Sequence, residues 1–144
     1  FRGAPLSAGA ADLSDMGDYR KLRAWQAARV LVVATYRATE RMPRDERFGL
    51  TSQIRRAAIS VAANLAEGAG RAGDPELRRF VAIARGSAHE LICELELSEA
   101  LGMLPTDLIA PVIAQAQIVA GLLSRLHDAL GAERPPFSRN SAPK

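Results

Sequence analysis

The sequence predicts an all-α protein, an antiparallel up-down-up-down four-helix bundle flanked by a leader and a tail. Three observations predict it. Apolar residues recur at steps of three and four in four successive segments, no stretch alternates with the two-residue period of a half-buried strand, and short Gly or Pro breaks separate the segments. Links this short make consecutive helices antiparallel neighbours. With 144 residues, 48% of them hydrophobic, the chain is sized for one domain whose core needs neither disulfide nor structural metal.

Helix one is expected over Tyr19–Arg41, with Asp18 as N-cap and Pro43 marking the stop. Helix two follows over Arg47–Gly70, where Gly68, Gly70 and Gly73 are expected to supply left-handed closing positions. Asp74 then caps helix three, Pro75 suits the first helical position because its missing N–H has no partner there, and Gly102 ends the segment. Helix four runs over Thr106–Ala129 and ends at Gly131, with Pro111 either kinking its first turns or setting its start. Residues 1–17, rich in Gly, Ala and Ser, read as a flexible leader in which Met16 is a candidate natural start. Residues 131–144, rich in Pro and Ser, read as a basic tail, which leaves 18–130 as the bundle.

The core stripes follow from the spacing. Helix four offers Ile109, Val112, Ala116, Val119, Leu123, Leu126 and Leu130; helix three Leu77, Phe80, Ala84, Ala88, Leu91 and Leu95; helix two Leu50, Ile54, Ala57, Val61 and Leu65. Helix one is apolar over a wider arc. Trp25, Ala28, Val32 and Tyr36 form one stripe, and Ala27, Leu31 and Ala34 extend it, so these three are expected to meet a second copy of the chain.

Charge is unevenly distributed along the chain. Residues 18–89 hold 14 Lys and Arg against 7 Asp and Glu, whereas residues 90–130 hold only Arg125 against 6 acids. The basic part is almost entirely Arg, whose planar guanidinium binds phosphate and carboxylate bidentately, so nucleic acid and an acidic protein surface are both candidate partners. The candidate phosphate contacts are Arg20, Lys21, Arg23, Arg44, Arg47, Arg55, Arg56, Arg71, Arg78 and Arg79. No helix-turn-helix spacing, zinc finger or exposed aromatic series is recognisable, so binding is expected to be backbone-driven.

A second candidate lies on helix two, where Gln53, Arg56, Ser60, Asn64, Glu67 and Arg71 recur at steps of three or four. Ser and Asn have little propensity reason to sit mid-helix, so this polar stripe is read as built for hydrogen bonds, either to the facing helix or to a ligand. Helix three presents Ser87, Glu90 and Glu94 along one side. Adjacent turns of a helix bring carboxylates together routinely, so the glutamates are read as structural rather than as an acid–base couple. Two isolated histidines and the single Cys93 offer no metal-ligand spacing, no nucleophile motif and no cofactor-binding motif, and no enzyme activity is expected. One cysteine also suggests a reducing cytoplasmic setting. Neither a signal peptide nor a membrane span is expected, charges being taken to interrupt each apolar run.

Three stretches carry a family resemblance: DYRKLRAWQ at 18–26, RFGLTSQIRRAAISVAANLAEGAGR at 47–71, and FVAIARGSAHELICELELSEALG at 80–102. They resemble the small bacterial four-helix bundle family encoded in intervening sequences of 23S ribosomal RNA genes and once labelled S23 ribosomal proteins. The fold of that family is shared by the Avd accessory proteins of diversity-generating retroelements. The match is strongest at Thr51–Ala57 and Asn64–Arg71. The resemblance implies a homopentamer of antiparallel bundles without known enzymatic activity and, for the Avd relatives, a basic surface that engages nucleic acid and a reverse transcriptase. Relatives often carry a proline near the position of Ala62, and its absence here implies a straighter helix two. The resulting expectation is a non-enzymatic, oligomeric accessory factor that binds RNA or DNA through phosphates. The alternative is a scaffold or adaptor that binds a protein through the acidic half of helices three and four.

Overall fold

Four helices form the fold, α1 at Arg23–Thr39, α2 at Leu50–Ala69, α3 at Asp74–Ala100 and α4 at Thr106–Gly131, with single 3-10 turns at Tyr19–Lys21 and Arg44–Glu46. The computed structural model describes residues 17–71 and 73–132, and no strand occurs among them. The expected leader apart from Gly17, its Met16 start included, and nearly all of the expected tail lie outside the described residues.

Helix one is shorter than the sequence suggests because its first turn is separate. Asp18 caps the 3-10 turn by accepting the Arg20 amide at 3.0 Å, and Leu22 then adopts an extended conformation before α1 begins. Leu22 is buried, so its side chain anchors the entry at the cost of helical continuity. At the far end Thr35 and Thr39 turn their hydroxyls onto the carbonyls of Leu31 and Thr35 at 2.7 and 2.8 Å. This back-bonding satisfies two buried hydroxyls without any partner helix. The link that follows is pinned by buried Met42 and by the 3-10 turn, so α2 starts at Leu50 rather than Arg47. The Glu46 carboxylate accepts the Leu50 amide at 2.9 Å and serves as a cap from outside the helix.

The glycines divide by role. Gly73 has φ +90° and holds the cap position of α3, so Asp74 is the first helical residue rather than the cap, with Pro75 behind it. Gly102 has φ +70° and closes α3, with the Met103 amide bonded to the Ser98 carbonyl and the Gly102 amide to that of Glu99. This is the Schellman arrangement. Gly68 is not a closing residue at all. It lies inside α2, where a Cβ would stand 2.7 Å from Phe80 Cβ and 3.0 Å from Leu77 Cδ1 on α3.

The expected stripes of α2, α3 and α4 form one core. Ile54, Val61 and Leu65 meet Leu91, Leu95, Ile109, Val119 and Leu123, all fully enclosed, while Leu50, Leu126 and Leu130 are partly buried at the ends of the core. On α1 the stripe is displaced by one residue from the expected one. Ala24, Ala28, Leu31, Thr35 and Ala38 face inward. Trp25, Val32, Ala27 and Ala34 pack along the edges, and Tyr36 lies at the surface. Leu31 is 0% exposed, so it belongs to its own protomer's core and cannot be an interface residue. The surface that α1 leaves uncovered carries Val30 and Val33, flanked by Ile59 on α2, all exposed.

α1 packs on both α2 and α4, and α3 bridges α2 and α4. Gln115 on α4 donates to the Ala27 carbonyl on α1 at 3.1 Å. Charges do not interrupt every apolar run as expected: residues 108–124 carry none, and α4 is long and apolar enough by length and composition to cross a membrane. One face of that apolar helix packs on α1 and α3, with Ile109, Val112, Ala116, Val119 and Leu123 buried, while Ile118 on another face is 54% exposed. Pro111 sits inside α4 without setting its start. Because Gly68 admits no side chain, Gly68→Ala is expected to destabilise the protein by about 1–3 kcal/mol through overpacking, read as a lowered urea midpoint.

Candidate functional site

The polar stripe of α2 lies along its junction with α3. Ser60 and Ser87 share a hydrogen bond at 2.8 Å between the helices. The Asn64 side-chain Nδ2 donates to the Ser60 carbonyl at 2.8 Å and to its hydroxyl at 3.0 Å, closing a three-residue network in which every member is at least half-buried. Two contacts show that α2 and α3 run in opposite directions: Ser60 meets Ser87, and further along α2 Gly68 meets the earlier Phe80 and Leu77 of α3. The stripe's mid-helix Ser and Asn thus bond to each other and to the facing helix. At its ends the stripe is exposed: Glu67 and Arg71 pair at 2.9 Å with half-exposed side chains, and Gln53 and Arg56 face solvent.

Glu94 extends this junction. It lies seven residues beyond Ser87, level with Gln53, which lies seven residues before Ser60. Its Oε2 is enclosed without a hydrogen-bond partner. Burial, then the charge of Glu90 one turn earlier, then a hydrogen bond with that side chain push the Glu94 carboxyl up to about 7. A neutral carboxyl can donate a hydrogen bond as well as accept one, whereas a carboxylate only accepts.

The ten candidate phosphate contacts fall into two groups. Arg71 and Arg79 both lie over the Phe80 ring, at 5.5 and 4.7 Å from its centroid. Arg79 also reaches Glu76 at 3.4 Å. Arg78 beside them donates from Nε to the His127 carbonyl at 3.3 Å, closing the C-terminal end of α4, so it is partly committed to structure. Gly17 lines the same shallow pocket as Arg71, Gly73 and Asp74, which brings the segment carrying Arg20, Lys21 and Arg23 to the same end. Arg20 is 67% exposed, pairs with Asp18 at 3.4 Å and stacks on Tyr19 at 4.7 Å. The second group surrounds the link between α1 and α2. Arg55 donates to the Thr39 hydroxyl at 2.9 Å and lies over Tyr36 at 4.5 Å. Arg47 lies over Phe48 at 4.5 Å. Arg44 on the 3-10 turn and Arg56 in the second turn of α2 are exposed.

Among the described residues no three His, Cys, Asp or Glu side chains converge as metal ligands. Sequence reasoning overlooked Phe48, which is 85% exposed. The only signal was its place among arginines in a link where Met42 and Leu50 are turned inward.

The geometry gains a family context from sequence comparison. The profile described as 23S rRNA-intervening sequence protein matches residues 20–125. The chain belongs to that family. A search of curated proteins finds no match. The 23S rRNA-intervening sequence protein match covers the Ser60–Asn64–Ser87 network, the Glu90–Glu94 pair and all ten candidate cations. In this family member the raised Glu94 carboxyl favours the protonated folded state. Its contribution is greatest below about pH 4.5 and is lost as pH rises towards 7. Glu94→Gln is expected to remove that decline, so the difference in urea midpoint between wild type and variant grows between pH 5 and pH 8.

Proposed function

We propose that this member of the 23S rRNA-intervening sequence protein family is a non-enzymatic, homo-oligomeric four-helix bundle of up-down-up-down topology that binds the phosphate backbone of RNA or DNA in the cytoplasm. The carrying observation is the gathering of arginines into two groups held open to solvent. Arg20, Arg71 and Arg79 keep 67%, 53% and 59% of their side chains exposed despite their ion pairs. Stacking on Tyr19 and Phe80 orders these guanidiniums while leaving their edges available to phosphate. Exposed pairs such as Glu67–Arg71 contribute little, so a polyanion can displace them at small cost.

Self-association is supported by the uncovered face of α1. Val30 and Val33 are 56% and 43% exposed and Ile59 is 44% exposed. Trp25, Val32, Ala62 and Ala66 line the groove beside Val33 and Ile59. A continuous apolar strip of this kind on two helices marks an interface more often than a solvated surface. Each added copy repeats the arginine groups, so association strengthens an otherwise weak field. The expected pentamer is one closed form such copies can take.

Binding to a labelled RNA is expected to weaken at least tenfold between low and moderate salt, as counterion release requires. Arg71→Ala with Arg79→Ala should lower both the affinity and the salt slope without sequence preference. Absent or salt-independent binding would leave the proposal unsupported. Val33→Glu is expected to shift sedimentation towards the single protomer while helical content is retained.

A further inference from the structure

We infer that Phe48 is a stacking platform for an unpaired nucleobase, so that the link between α1 and α2 selects single-stranded over duplex nucleic acid. This rests on the nucleic-acid reading above and names the form of polymer that the second arginine group takes. Phe48 is 85% exposed, more than any other large hydrophobic residue among those described.

Its exposure is fixed by its surroundings. On one side the Arg47 amide bonds to the Arg44 carbonyl at 3.1 Å, and on the other the Gly49 amide bonds to the Glu46 carbonyl at 2.9 Å. The Glu46 carboxylate holds the Leu50 amide at 2.9 Å. A Cβ at position 49 would stand 2.5 Å from that carboxylate oxygen, so glycine is what lets the cap close. The two residues flanking this turn in the core, Met42 and Leu50, are buried and half-buried. Phe48 is therefore presented on a short, hydrogen-bonded support that also forms the start of α2.

The chemistry beside the ring selects the partner. Arg47 lies over one face of Phe48 at 4.5 Å, leaving the other face to a flat π-system. Arg44, on the same turn, is exposed as well, so a planar group attached to a chain of negative charges satisfies ring and guanidiniums together. An unpaired base with its phosphates has that form. In a duplex the base faces are already stacked, so the platform gains nothing from paired strands. Stacking is also insensitive to salt, unlike the contribution of the arginines.

The test is fluorescence anisotropy with a labelled oligouridine, alone or paired with oligoadenine, using the full chain at two salt concentrations. Phe48→Ala should weaken single-strand binding roughly tenfold and leave both duplex binding and the salt slope unchanged. Phe48→Leu, which keeps apolar bulk without a π-face, should behave like Phe48→Ala, and Phe48→Trp should restore affinity. If Phe48→Ala or Phe48→Leu binds the single strand as wild type does, stacking is overturned while salt-dependent backbone binding stands. If wild type binds neither form, both readings fall together. If Phe48→Ala changes the sedimentation of the free protein, Phe48 lies between copies of the chain and the proposal is overturned.

Discussion

The close approach of α2 and α3 is the constraint on which the rest of the structure depends. Gly68 lets Phe80 and Leu77 sit against the α2 backbone, and the Ser60–Ser87 bond sets the register between the helices. A buried hydroxyl without a partner costs about 1–3 kcal/mol, so a slip along this junction would unpair the two serines while driving a larger side chain into the Phe80 contact. The register then decides what the surface offers. It places Arg71 and Arg79 over the same ring and encloses one oxygen of Glu94. Packing at one glycine thereby reaches the electrostatics of both ends of the junction.

α1 is held by a different logic. Its interior face is mostly small, with Ala24, Ala28, Thr35 and Ala38 surrounding Leu31. Small side chains let the helix settle closely between α2 and α4. They also confine the larger apolar residues to the flanks, where Trp25 and Val32 are partly buried and Val30 and Val33 are exposed. The threonine hydroxyls are satisfied within α1, and Thr39 additionally accepts Arg55. One end of α1 is thereby tied to the arginine group around the link. A cation-bearing surface and an uncovered apolar surface consequently share one helix.

Much of this was legible in the sequence. The spacing of Ile109, Val112, Ala116 and Val119, and of Leu77, Ala84, Ala88 and Leu91, directly reflects the enclosed faces of α4 and α3. Gly102 ended α3 as turn chemistry requires. The displaced stripe on α1 was harder to read because that helix is apolar nearly all round. Periodicity then has no contrast to work with, and Leu31 and Val33 look alike until their neighbours are placed. The Ser60–Asn64 stripe was recognisable as built for hydrogen bonds, but its partner Ser87 lies 27 residues away from Ser60 and no local pattern joins them. The enclosure of Glu94 is likewise a property of two helices together. Gly68 resembled a stop because a glycine serves both termination and close contact, and only the Phe80 contact separates the two.

Pro111 gives α4 an unusual beginning. It has no amide hydrogen, so the Asp107 carbonyl loses the donor that an unbroken helix would supply. The opening turn is therefore riveted by side chains: Ile109 is wholly enclosed and Leu104, just before the helix, is 2% exposed. Its persistence depends on the bundle interior more than on backbone continuity. The start of α4 thus behaves as a guest of the core, ordered when the interior is assembled and without the means to nucleate ahead of it.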